Sequence, residues 1–168
     1  MSTIGDQRLA AAAQAGRRFA PAAVVAAWGP VVVWAAFILS LSSDRFSDVH
    51  TAAWLSRIAG ALGITIPLLE VANFIVRKSA HFVEYAVLSI LTLRALLATW
   101  PERRRRQLLV IAVAMAAAWA SLDELHQYVA TVARIGTPKD VALDTVGAVA
   151  GAAVGSGVLY RRPRRRAA

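Results

Sequence analysis

The residues of this chain that can do chemistry are ionisable side chains set at the edges of apolar runs. "RKSAHFVEY", residues 77–85, carries Arg77, Lys78, His81, Glu84 and Tyr85 and leads into "AVLSILTLRALLATW". "DELHQ" puts Asp123, Glu124 and Gln127 at the polar end of another apolar run, and "PKDVALD" puts Asp140 and Asp144 at the start of a third. At about 100° per residue, a helix gathers Lys78, His81, Glu84 and Tyr85 within an arc of about 120°, and Asp123, Glu124 and Gln127 within about 100°. Asp140 and Asp144 fall one turn apart. Carboxylates, an imidazole and basic groups at one place can move protons, hold a polar headgroup or neutralise one another. Such a network can also do no more than fix helix register. His81 with Glu84, and Asp123 with His126, have i,i+3 spacings open to a metal, but the signal is weak, and no metal or cofactor is assigned. No serine sits in a recognisable nucleophile elbow. There is no cysteine, which removes disulfides, thiolate zinc sites and thiol catalysis.

The elements that must position these groups are membrane spans. The chain is 58% hydrophobic and 17% charged over 168 residues, with net charge +9. Soluble domains run at roughly 45–50% apolar and about 25% charged. A strong basic excess on so apolar a chain points to basic loops beside a membrane, not to nucleic acid. Ala22–Leu41 contains no charged residue. It is long enough to cross a hydrocarbon core of about 30 Å as a helix, and longer than the apolar region of a signal peptide. Pro30 is expected to kink it. Further spans are expected over about 76–100, 107–129 and 141–160. Pro67 is placed as an N1 residue of a preceding "IPLLEVANFIV" segment. The fold class is therefore all-α: a polytopic bundle of four transmembrane helices, with a short amphipathic helix in the first extracytoplasmic loop ("SDVHTAAWLSRIAGALG"). Residues 1–20 and 161–168 read as cytoplasmic tails flanking a transmembrane domain over 21–160. No repeat of 20–50 residues is present.

Orientation follows from charge. The N-terminal tail, "PERRRRQ" and the C-terminal tail hold twelve of the nineteen basic residues; six lie in the opposite loops and mouths, and Arg94 lies within a span. The positive-inside rule then makes both termini cytoplasmic, in a cell (plasma or inner) membrane, and turns the three ionisable stretches outward. Arg94 can snorkel to the headgroups. The Arg103–Arg106 run suits anionic lipid, and Trp28, Trp34, Trp54, Trp100 and Trp119 need no cofactor to explain them. Gly147, Gly151 and Gly155 continue the Asp140/Asp144 stripe as a double GxxxG, a spacing that admits a close partner helix.

"RKSAHFVEYAVLSIL", "SLDELHQYVATVARIGTPKDVALDTVGAVAGA" and "FILSLSS" together resemble the VanZ-like family of integral membrane proteins. The resemblance covers about residues 30–155. It highlights Arg77, Lys78, His81, Glu84, Tyr85, Asp123, Glu124, Gln127, Arg134, Gly136, Asp140, Asp144 and Gly147. Asp144 stands where many relatives carry Asn. The resemblance implies a cell-envelope role of the kind associated with low-level resistance to the glycopeptide teicoplanin.

The residues support a reading in which Arg77, Lys78, His81, Glu84, Tyr85, Asp123, Glu124, Gln127, Arg134, Asp140 and Asp144 line an outward polar pocket. Its ligand would be a lipid-linked or amphiphilic molecule, with membrane lipids as the other partners and no nucleic acid. Catalysis is not required by this reading. A membrane hydrolase or transferase acting on a phospholipid or lipid-linked precursor is the alternative, and a structural subunit without a ligand is a third.

Overall fold

In a computed structural model, the described residues are 5–7, 20–42, 57, 60, 66–130 and 137–161. Four helices carry the fold: α1 (Pro21–Leu41), α2 (Ile66–Thr99), α3 (Arg105–Ala130) and α4 (Pro138–Arg161). All four contain stretches long and apolar enough to cross a membrane. No strand occurs among the described residues. The tails, the amphipathic helix expected after Ser47, and Arg134 with Gly136 fall wholly or largely outside these residues.

The helix ends follow from local chemistry. Pro21 opens α1, where its missing N–H costs nothing. The helix runs on through Pro30, and the Ser42 N–H closes it on the Ile38 carbonyl at 3.0 Å. α2 has 34 residues, about 51 Å at 1.5 Å per residue, and so exceeds a hydrocarbon core of about 30 Å. Position 76, expected as the start of the second span, lies inside this helix. Nothing between Pro67 and Pro101 can break it, and Pro101 sets its end. A tight turn at 100–104, with the Arg103 N–H on the Trp100 carbonyl at 3.2 Å, reverses the chain into α3. Thr137 and Pro138 start α4. The Asp140 N–H donates to the Thr137 carbonyl at 2.9 Å, while the Thr137 hydroxyl donates to Asp140 Oδ2 at 3.1 Å.

Small and apolar residues at helical spacing make the core. Ala27, Val31, Ala35 and Ile38 form the buried face of α1. Leu108, Ala112, Ala116 and Ala120 form that of α3. α2 and α4 make the most extensive contact; α3 packs on both, and α1 packs on α2. The outward faces carry Val32, Val33, Val110, Val149 and Val154, all largely exposed. In water such a belt would be a liability; in lipid it is the expected solvent-facing surface.

The glycine stripe sets the α2–α4 register. A Cβ at Gly147 would lie 3.1 Å from the Phe82 carbonyl carbon, and one at Gly151 only 2.6 Å from that of Ala86, with the carbonyl oxygens closer still. At Gly155 the nearest neighbour is Ile90 Cγ1 at 3.2 Å. The paired numbers advance by four on both helices, so α2 and α4 run parallel. α1 and α3 run the other way: the Trp28 indole reaches Thr99 Oγ1 at 3.0 Å, near the start of α1, while Ser42 at its far end reaches Asp123.

Candidate functional site

The register brings the polar stretches to one end of the bundle, the end of the 43–65 and 131–136 connections. Asp123 is its hub. Its carboxylate is 1% exposed, and Oδ2 accepts three bonds: from Ser42 Oγ at 2.9 Å, Gln127 Nε2 at 3.2 Å and the Tyr85 hydroxyl at 3.3 Å. These donors come from α2, from α3 itself and from the residue that ends α1. Oδ1 of the same carboxylate is buried and accepts no hydrogen bond among the described residues.

Asp144 on α4 is 0% exposed, and neither of its oxygens takes a hydrogen bond among the described residues. Its Oδ1 faces His81 Nδ1 at 3.5 Å. The pair owes its proximity to the stripe below it, because Gly147 holds α4 against the backbone of Phe82, next to His81. Glu124 is also buried, and its Oε2 accepts the Thr137 N–H at 2.7 Å. Through Thr137 it connects to Asp140, which is ion-paired with Lys78. The Lys78 ammonium also lies 5.6 Å from the centre of the Phe74 ring, at the rim of the site.

The structure therefore gathers Lys78, His81, Tyr85, Asp123, Glu124, Gln127, Asp140 and Asp144, together with Ser42 and Thr137, which sequence reasoning did not single out. Ser42 had one signal, its position at the polar end of "FILSLSS"; Thr137 had one as the N-cap before Pro138. Arg77 and Glu84 are half-buried on α2, and the Glu84 carbonyl accepts the Trp34 indole N–H at 2.9 Å. Trp28 and Trp34 thus bridge α1 to α2 through their indole N–H groups. At the opposite end, Arg105 donates to Ser156 Oγ at 2.7 Å and stacks 4.6 Å from the Tyr160 ring centre, while Arg103, Arg104 and Arg106 stay exposed.

Chemically, the site offers buried carboxylate oxygens with unfilled lone pairs and one imidazole. It can accept hydrogen bonds from a polar group, hold a cation, or shuttle a proton through His81. The Ser42 hydroxyl donates to a carboxylate, not to a histidine, so it is not arranged as a base-activated nucleophile.

A family model described as VanZ/LLP1 matches residues 27–160. No curated protein and no solved structure matches the chain. With four apolar helices and a match running from α1 to the last turn of α4, the chain belongs to the VanZ/LLP1 family of membrane proteins.

Proposed function

We propose that this protein acts at the cell envelope by binding an amphiphilic or lipid-linked molecule, its polar group held by the His81–Asp123–Asp144 cluster. The observation that carries this reading is the set of buried carboxylate oxygens without hydrogen-bond donors at the end of the bundle. Polar atoms left unsatisfied within a membrane span are costly, and a ligand rich in donors offsets that cost. An apolar cleft of about 470 Å³ between α3 and α4 supports the amphiphilic half. It is lined by Leu109, Val110, Val113, Val149, Ala152 and Ala153. Val149 lies five residues beyond Asp144, about 7.5 Å along the helix, so the cleft is within an acyl chain's length of the cluster.

Native mass spectrometry of gently purified protein tests the reading. The expected result is a retained amphiphile, lost or reduced in Ala153→Trp, which fills the cleft from an exposed position. An absence of any retained amphiphile, or equal retention by the variant, rejects it.

We further infer that the cluster faces outward from the cytoplasmic membrane and that both termini are cytoplasmic. The support is the twelve basic residues on the termini and the 101–107 turn. Reporter fusions at residue 168 and within that turn are both expected to report cytoplasm. An extracytoplasmic signal from either overturns the orientation.

One observation favours catalysis as the alternative: His81 is turned toward a buried carboxylate, as a general base is turned by its orienting group. An enzyme acting on a phospholipid or lipid-linked precursor would turn over a labelled substrate with the wild-type protein and not with His81→Gln. A binding protein would retain the substrate unchanged.

A further inference from the structure

We propose that His81, Asp123 and Glu124 form a site for a divalent metal ion of the Zn²⁺ or Mn²⁺ class. One donor atom from each residue lies within 4.8 Å of the other two. Four-coordinate ligands about 2.0–2.1 Å from a metal stand roughly 3.3 Å apart, so side-chain movements of about an ångström close the set.

Three independent features of the structure point the same way. The first is the asymmetry of Asp123. Oδ2 is saturated by Ser42, Tyr85 and Gln127, which fixes the carboxylate and leaves Oδ1 buried without a donor. A carboxylate held by one oxygen and bare at the other is an oriented ligand. The second is His81. Its Nδ1 is turned to Asp144 Oδ1 at 3.5 Å, which leaves Nε2 as the nitrogen for a metal. An approach of a few tenths of an ångström turns this contact into the carboxylate–histidine–metal relay, in which the outer carboxylate fixes the tautomer and strengthens the ligand. The third is charge. Asp123, Glu124 and Asp144 are all buried, Lys78 is engaged by Asp140, and His81 is the group set against Asp144. A divalent cation at the centre neutralises carboxylates that would otherwise repel one another in a medium of low dielectric.

An imidazole among the donors selects a metal with nitrogen affinity over Ca²⁺ or Mg²⁺, which favour all-oxygen sites. Asp144 is a positioning residue, which faces His81 and not the ion. Neighbouring Asp123 and Glu124 can serve together because each brings a carboxylate oxygen within 4.8 Å of a His81 ring nitrogen. The inference does not depend on the amphiphile reading: a metal ion binds these three side chains whether or not a lipid accompanies it.

The test uses the full chain, untagged, purified in mild detergent, stripped with EDTA and dialysed against Zn²⁺ or Mn²⁺. The expected result is about one equivalent of metal per chain by elemental analysis, with a melting temperature that rises on loading. Asp123→Asn and His81→Gln are each expected to weaken binding at least tenfold while keeping the helical signal and the gel-filtration profile. His126→Gln, whose side chain is not in the triad, is expected to bind as wild type. If a variant fails to fold, the wild-type melt decides, because a melting temperature unmoved by saturating metal overturns the site. Equal metal content in folded Asp123→Asn also overturns it, as does binding of Mg²⁺ as tightly as Zn²⁺ and Mn²⁺. Native mass spectrometry of lipid retention is a separate readout, so failure of the metal site and failure of the amphiphile reading are distinguishable.

Discussion

Gly151→Leu is expected to leave no folded, monodisperse protein in detergent, and Gly151→Ala to lower the melting temperature sharply. Even the single carbon of alanine would lie 2.6 Å from both the carbonyl carbon and the Cα of Ala86. Those atoms are helix backbone and cannot rotate away. Overpacking a well-filled core costs about 1–3 kcal/mol, and here relief requires moving one helix off another. The displacement would not stay local. Gly147 against Phe82 belongs to the same contact, and His81–Asp144 and Lys78–Asp140 lie just beyond it. The stripe supplies its own controls. At Gly155 the obstacle is Ile90 Cγ1 at 3.2 Å, part of a side chain that can shift. At Gly157 nothing lies within 4 Å, so alanine there is neutral or stabilising by up to about 1 kcal/mol through helix propensity. Melting temperatures in detergent should therefore rank Gly157→Ala at or above wild type, then Gly155→Ala, then Gly151→Ala. A Gly151→Ala protein as stable as wild type would show that the α2–α4 contact is wrong.

The gradient along one stripe shows what a sequence makes legible here. Four runs of about twenty apolar residues announce four helices, because only a helix satisfies its own backbone in lipid. Glycines four apart announce a packing face. They do not say that Ala86 rather than a residue of α3 meets Gly151, because the partner is a tertiary fact. The same limit applies in the site. Sequence places His81 and Asp144 at one membrane depth, but their 3.5 Å separation depends on the α2–α4 register. For metal ligation, spacing draws attention to i,i+3 pairs within one helix. The set that converges joins His81 to adjacent residues of another helix, Asp123 and Glu124. Helical periodicity puts Asp123 and Glu124 on one arc of α3, but adjacent residues are not an i,i+3 ligand pair, and only the packing of α2 on α3 brings His81 to both. Ser42 is hidden for a simpler reason: a serine just past the end of a span is ordinary, and only the fold reveals that Asp123 accepts its hydroxyl. The start of α2 is hard to place because its first turns, Ile66–Val76, carry Glu70 and Asn73 and look less like a span than the apolar run from Ala86 to Thr99.

Asp123→Asn is expected to accumulate as folded protein and to lose function. The asymmetry of the carboxylate makes this substitution unusually clean. An asparagine that keeps its amide oxygen at the Oδ2 position still accepts from Ser42, Tyr85 and Gln127. Only the bare oxygen changes, from an acceptor carrying charge to an N–H donor. If that oxygen meets the polar group of an amphiphile or a metal ion, the loss is a charge-assisted interaction of about 1.5–3 kcal/mol, or roughly tenfold to a hundredfold in affinity. If the proposed envelope role includes resistance to a lipidated glycopeptide, a resistance assay at matched protein levels should then fall to the level of cells lacking the gene. Glu84→Gln provides a second charge removal on the α2 wall of the cluster. Asp123→Leu tests the opposite side of the same residue. It strands two hydroxyls and an amide inside the bundle, each costing about 1–3 kcal/mol, and should prevent folding rather than merely silence the site. If Asp123→Asn fails to accumulate as Asp123→Leu does, the charge itself holds α1, α2 and α3 together, and the cluster is a structural clamp. If Asp123→Asn accumulates and retains full activity, the bare oxygen has no ligand to meet. The reason for carrying ionisable groups at the mouth of this bundle must then be sought elsewhere than Asp123.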